Sequence, residues 1–113
     1  MPLKPTASFV DFEGLDIRAG LVVQVEDAAS RKPTYRLTID LGPELGHKVS
    51  CGAYRNYSKE DLLGSIVICV VNFEPKRMGP ELSEVLVLGI GNERGETIYL
   101  TTESGVPPGG IVF

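Results

Sequence analysis

The chain has 113 residues, 42 % of them hydrophobic and 23 % charged, which suits one core and leaves no room for a second, so residues 1–113 are expected to form a single domain. No apolar run approaches the roughly 20 residues that cross a bilayer, and Met1-Pro2-Leu3-Lys4-Pro5 lacks the apolar stretch of a signal peptide, so a cytoplasmic protein without membrane insertion is expected. A formal net charge of −4 speaks against gripping nucleic acid through bulk charge, yet from Arg31 to Arg77 8 basic residues stand against 5 acidic ones, while the flanks hold 3 against 10.

Taken in chain order, Ser8 to Leu15 reads as a short helix ahead of the first strand. Ile17 to Glu26 has strand character, with Leu21, Val23 and Val25 facing one way. Tyr35 to Leu41 alternates without a break: Tyr35, Leu37, Ile39 and Leu41 share one face, and Arg36, Thr38 and Asp40 the other. Only a period of two divides that pattern into a dry and a wet face. A shorter strand covers His47 to Cys51. Ser58 to Gly64 offers a capping-box start, Ser58 with Asp61, and a glycine stop, enough for a helix of a turn or two. Ile66 to Phe73 is almost continuously apolar, as in a strand covered on both sides, with Cys69 read as a small buried hydrophobe. Val85 to Ile90 and Thr97 to Thr101 follow, joined by a hairpin loop over Gly91 to Glu96. Beyond the Pro/Gly-rich turn at Gly105 to Gly110, the apolar end Ile111-Val112-Phe113 must either tuck back or pack on a partner.

Short strands at regular spacing indicate a sandwich or barrel. One short helix between the third and fourth strands narrows this to an all-β OB fold, a five-stranded Greek-key barrel with N- and C-terminal extensions. In such a barrel the loops between strands 1 and 2 and strands 4 and 5 flank the binding face. Here they carry Arg31-Lys32-Pro33 and Glu74-Pro75-Lys76-Arg77-Met78-Gly79-Pro80, so four cations form either an anion-binding rim or two ordinary polar loops. Phosphate contacts position a nucleic acid, and stacking adds grip. Tyr54, after a glycine and beside Arg55, and Phe73 are the aromatic candidates, whereas Tyr35 shares a face with the core. Ser50, Asn72, Ser83 and Glu84 sit at strand ends around this rim. Asn72 breaks an apolar run, and its amide either pins the following loop or touches a ligand. Ser83 or Glu84 is placed to brace Lys76 or Arg77.

Catalysis finds little support. His47 and Cys51 are four apart, which in a strand puts them on one face but roughly 13 Å apart, beyond hydrogen-bond reach. One histidine and two cysteines make a poor metal site, and Gly89-x-Gly91 is a lone hairpin feature. No catalytic residue, metal or cofactor is expected.

Asp11-Phe12-Glu13-Gly14-Leu15-Asp16-Ile17-Arg18-Ala19-Gly20 resembles the opening of the tRNA-binding domain family. Ser58 to Gly64, Val70-Val71-Asn72-Phe73-x-Pro75-Lys76-Arg77 and Ser83-Glu84-Val85-Leu86-Val87-Leu88-Gly89 resemble its later blocks. Val106-Pro107-x-Gly109-Gly110 with Val112-Phe113 is similar to the ending of its stand-alone CsaA-type members. The resemblance runs from about Phe9 to the last residue. It implies an OB-fold homodimer, related to the C-terminal domain of some methionyl-tRNA synthetases, that binds tRNA by overall shape. CsaA-type members are also regarded as protein-export chaperones that bind preproteins and the export ATPase. Carried over by position, the binding residues are Ser50, Asn72, Lys76, Arg77, Ser83 and Glu84, with Arg31 and Lys32 on the neighbouring loop. Two departures stand out. After Ser50, Cys51-Gly52-Ala53-Tyr54 stands where CsaA-type proteins usually continue Ser-Ala-Gln-Ile, one residue shorter before Tyr57, and Pro80 and Leu82 replace a glycine and a lysine, removing one cation from the rim.

Overall fold

The computed structural model describes residues 1–29 and 33–113. Its elements are α1 (Phe9–Glu13), β1 (Ile17–Asp27), β2 (Tyr35–Asp40), α2 (Gly42–Leu45), β3 (His47–Gly52), α3 (Lys59–Leu62), β4 (Ile66–Val70), β5 (Lys76–Met78), β6 (Glu81–Ser83), β7 (Leu86–Val87), β8 (Gly89–Gly91) and β9 (Thr97–Tyr99). Five strands form an antiparallel sheet in the order β3-β2-β1-β4-β7, with β5-β6 and β8-β9 as separate hairpins. The sheet curls until its edges meet: Glu84 N and Val85 N both donate to Val49 O, at 2.7 and 3.2 Å. The result is a nearly closed five-stranded barrel with few short helices, the OB-like fold expected from strand spacing.

β1 is the strand that permits this closure. Its first half pairs with β4 (Ile17↔Val70 to Leu21↔Ile66) and its second half with β2 (Leu21↔Asp40 to Asp27↔Tyr35). The register slips between Val22 and Gln24, so one residue bulges and the strand bends. The bulge also changes phase. Val22 is buried and Val23 is exposed, which corrects the expectation that Leu21, Val23 and Val25 share the inner face. A Cβ on Gly20 would lie 2.3 Å from Ile39 Cγ2, so only glycine lets β1 and β2 approach this closely there.

The inward face of β2 behaves as its alternation requires: Tyr35, Leu37 and Ile39, with Leu41 beyond the strand, are all buried among Val22, Val67, Cys69 and Val87. Leu62 of α3 inserts fully into this core and plugs the barrel end. Ser58 caps that helix by accepting from Asp61 N at 3.1 Å. β4 stops at Val70, earlier than the apolar run to Phe73, with Val71 N still reaching Asp16 O, its opposite number beyond the start of β1, at 2.9 Å. The C-terminal chain tucks back along β1, with Gly109 N donating to Ala19 O, Ala19 N to Gly110 O and Val112 N to Ile17 O, each at 2.8 Å. Its side chains Ile111, Val112 and Phe113 nevertheless face outward. Among the described residues no helix is long and apolar enough to cross a membrane.

Candidate nucleic-acid interface

The segment read from sequence as the loop between strands 4 and 5 is a two-stranded ribbon, β5-β6, turned at Gly79, whose φ of +64° is the left-handed region glycine favours. Successive strand residues point to opposite faces. Lys76 and Met78 therefore look one way, and Arg77, opposite Leu82 in the register, looks the other. Lys76 and Met78 join Phe73, Glu74, Ser83, Glu84, Val85, Leu86 and Cys51 around a cleft of about 330 Å³. Its floor is largely apolar, Phe73 is half exposed, and the lip carries the Lys76 ammonium together with the carboxylates of Glu74 and Glu84.

The turn after β1 meets this ribbon. Ala28 N donates to Thr34 O at 3.0 Å, and Ala29 N donates to Glu81 Oε1 at 3.2 Å. Arg31 and Lys32, the two cations expected there, lie outside the described residues. Glu81 itself was not singled out from sequence. It accepts from Arg36 Nη1 through both oxygens, at 3.0 and 3.1 Å, and Cys51 Sγ donates to it at 3.8 Å. Arg36 also pairs with Glu26 at 3.1 Å. The Ala29 amide first, then Arg36, hold the Glu81 carboxyl below its ordinary range despite burial.

The other predicted residues divide. Tyr54 is a correction: it is 4 % exposed, donates its hydroxyl to Val87 O at 3.1 Å, and is pushed up to about 12 by burial, so it belongs to the core and offers no surface for stacking. Ser50 is buried within β3. Asn72 pins the chain, but the preceding segment and not the following loop: its Oδ1 accepts from Asp16 N at 2.8 Å and its Nδ2 donates to Gly14 O at 2.9 Å. Ser83 and Glu84 brace β3, where Lys76 or Arg77 was expected. Ser83 Oγ accepts from Cys51 N and Glu84 Oε1 accepts from Val49 N, both at 3.0 Å, while Glu84 Oε2 lies 4.0 Å from Lys48.

Sequence reading also passed over a second pair of cations at the same end of β1. Arg55 stands 4.6 Å over the Tyr35 ring and reaches Asp27 Oδ1 at 2.8 Å; Lys59 reaches Asp27 Oδ2 at 3.3 Å. No local pattern marks them, because Asp27 is 28 and 32 residues away in sequence. Both cysteines are free and buried, and burial pushes their thiols up, that of Cys69 to about 12. Among the described residues no group of three or more His, Cys, Asp or Glu side chains is arranged to hold a metal.

Comparison with known proteins places this geometry in context. Residues 17–110 match the family model described as a putative tRNA binding domain. The chain is similar to methionine–tRNA ligase 1 of Sorangium cellulosum, 37 % identical over 109 residues, which is 96 % of this chain and 15 % of the ligase. It thus spans less than a fifth of the curated relatives it matches. Two solved structures resemble it over 96 % of its length and 100 % of theirs, each with a TM-score of 0.90: the chaperone CsaA of Bacillus anthracis, 40 % identical, and that of Picrophilus torridus, 38 % identical.

Proposed function

Since this chain belongs to the family of putative tRNA-binding domains, we propose that residues 1–113 act as one non-enzymatic, homodimeric module that binds tRNA in the cytoplasm by shape and phosphate contacts. The observation that carries this reading is the meeting of the β1–β2 turn with the cationic β5-β6 ribbon at Glu81, beside a cleft that pairs an apolar floor with Lys76. Phosphates would meet Lys76 and Arg77, together with Arg31 and Lys32. An unstacked base would lie against Phe73, and Ser83, Glu84 and Ser50 shape the wall behind. Four cations each neutralising one phosphate give a fall of log affinity with log salt of about −3. Binding of unfractionated tRNA at rising salt, with Lys76→Glu/Arg77→Glu alongside, tests this: the double variant should bind weakly and with a flatter slope. Equal, salt-insensitive binding by both proteins would remove the proposal.

Dimerisation rests on exposed apolar surface. α1 buries none of its residues, and Phe9 is 71 % exposed; Phe12, Ile111 and Phe113 are exposed as well. A second reading, an export chaperone that holds preprotein segments and meets the export ATPase, draws on the likeness to CsaA and on the cleft's Phe73, Met78 and Leu86. Met and aromatic side chains adapt to varied partners. It predicts suppression of aggregation by an unfolded client, and loss of that effect with Phe73→Ser.

A further inference from the structure

Glu81 stands where three separate stretches of chain come together. It lies in β6; its first oxygen takes the backbone amide of Ala29 in the β1–β2 turn, both oxygens take Arg36 from β2, and Cys51 of β3 donates to the second. Its side chain is 8 % exposed, whereas the neighbouring ribbon residues Lys76, Arg77 and Leu82 face water. A carboxylate is costly to bury unless every lone pair is met, and here donors meet both oxygens. A residue whose only task was solubility would not be turned inward on a three-residue edge strand.

Among the described residues the ribbon's other ties sit at its base, where Ser83 Oγ accepts from Cys51 N, Glu84 Oε1 accepts from Val49 N, and Glu84 N donates to Val49 O. At the turn end a Cβ placed on Gly79 would find only Ala29 O, at 3.9 Å. Glu81 is therefore the described polar bond that fixes the turn end of the ribbon against the barrel and against the β1–β2 turn.

We infer that Glu81 is a positioning residue for the binding mouth, holding the tip of the ribbon that carries Lys76 and Arg77 at one fixed spacing from Ala29 and from Arg36 of the barrel wall, so that the ribbon presents its cations to phosphates from a set position. This rests on the tRNA-binding reading above, and it adds a residue that touches no ligand. Loss of the carboxylate leaves the barrel closed by Val49 and frees the ribbon tip, so phosphate contacts are made singly and not in concert.

The test compares wild type, Glu81→Ala and a control destabilised elsewhere in the core, Val67→Ala. Two quantities are measured: the salt dependence of tRNA binding and the hydrogen exchange of the Ala29 amide relative to the amides of β4. In Glu81→Ala the salt slope should flatten by about one, and Ala29 should exchange at least about tenfold faster. Val67→Ala should retain the wild-type slope, since a smaller folded fraction weakens binding without removing phosphate contacts. A Glu81→Ala slope equal to that of Val67→Ala overturns the inference. Should wild type bind no tRNA, the functional proposal falls, and the exchange measurement decides alone: faster exchange at Ala29 upholds the tie, and unchanged exchange removes it.

Discussion

Tyr54 reads as a surface aromatic in sequence because Gly52 stands two residues before it and Arg55 directly after it. The glycine has another meaning. A Cβ on Gly52 would lie 2.9 Å from the Tyr54 ring, and one on Gly89 3.1 Å from its hydroxyl, so two glycines clear the space that lets the ring fold inward. Tyr54→Phe should then cost about 1 kcal/mol of stability, by denaturant titration, since Val87 O loses its donor, and should leave tRNA affinity unchanged. Glu81 shows the complementary difficulty. Its partners Ala29, Arg36 and Cys51 lie 52, 45 and 30 residues away, so nothing near Glu81 in sequence marks it. Its acidity is open to measurement too. A carboxyl held below its ordinary value of 4.5 contributes stability that is complete above that value and is lost as pH falls through the lower, folded one. The stability gap between wild type and Glu81→Gln should stay level from pH 7 to about pH 5 and narrow in acid.

At the scale of elements, strands were the more legible part. Tyr35 to Leu41 alternates cleanly, and the four residues assigned to its dry face are all buried. The bulge in β1 left no comparable mark, since Leu21-Val22-Val23 presents an apolar residue in either phase. α2 was not among the expected elements: four residues are too few for a helical period to emerge, although Pro43 in its first turn suits a helix start. The ribbon β5-β6 was read as a loop because three residues are too few for a period to emerge. Of the site, Phe73 and Lys76 were legible from where the fold puts its loops. Asn72 was legible as a pin but not in direction, because Gly14 and Asp16 lie 58 and 56 residues earlier. Asn72→Ala should cost about 0.5–1.5 kcal/mol and speed amide exchange at Asp16, which loses its acceptor.

For the molecule as a whole, α1 poses the main energetic question. A five-residue helix cannot stand alone in water, and no residue of this one is fully buried within its own chain. Ser8 and Asp11 close a capping box, and Phe9 and Phe12 lie 6.0 Å apart on its surface. In the proposed homodimer these rings would be covered. The melting temperature should rise with protein concentration, and Phe9→Ser/Phe12→Ser should sediment as a monomer with a concentration-independent melt. A wild type that sediments only as a monomer at micromolar concentration would count against the dimer.

The bent first strand has a consequence for how the molecule comes apart. Because one strand is neighbour to both β2 and β4, neither flank of the cylinder owns its own edge, and peeling away one side strips the other. Fragments divided in the segment between β3 and α3 would each lack half of a shared wall, so neither would hold a shape until the two were mixed.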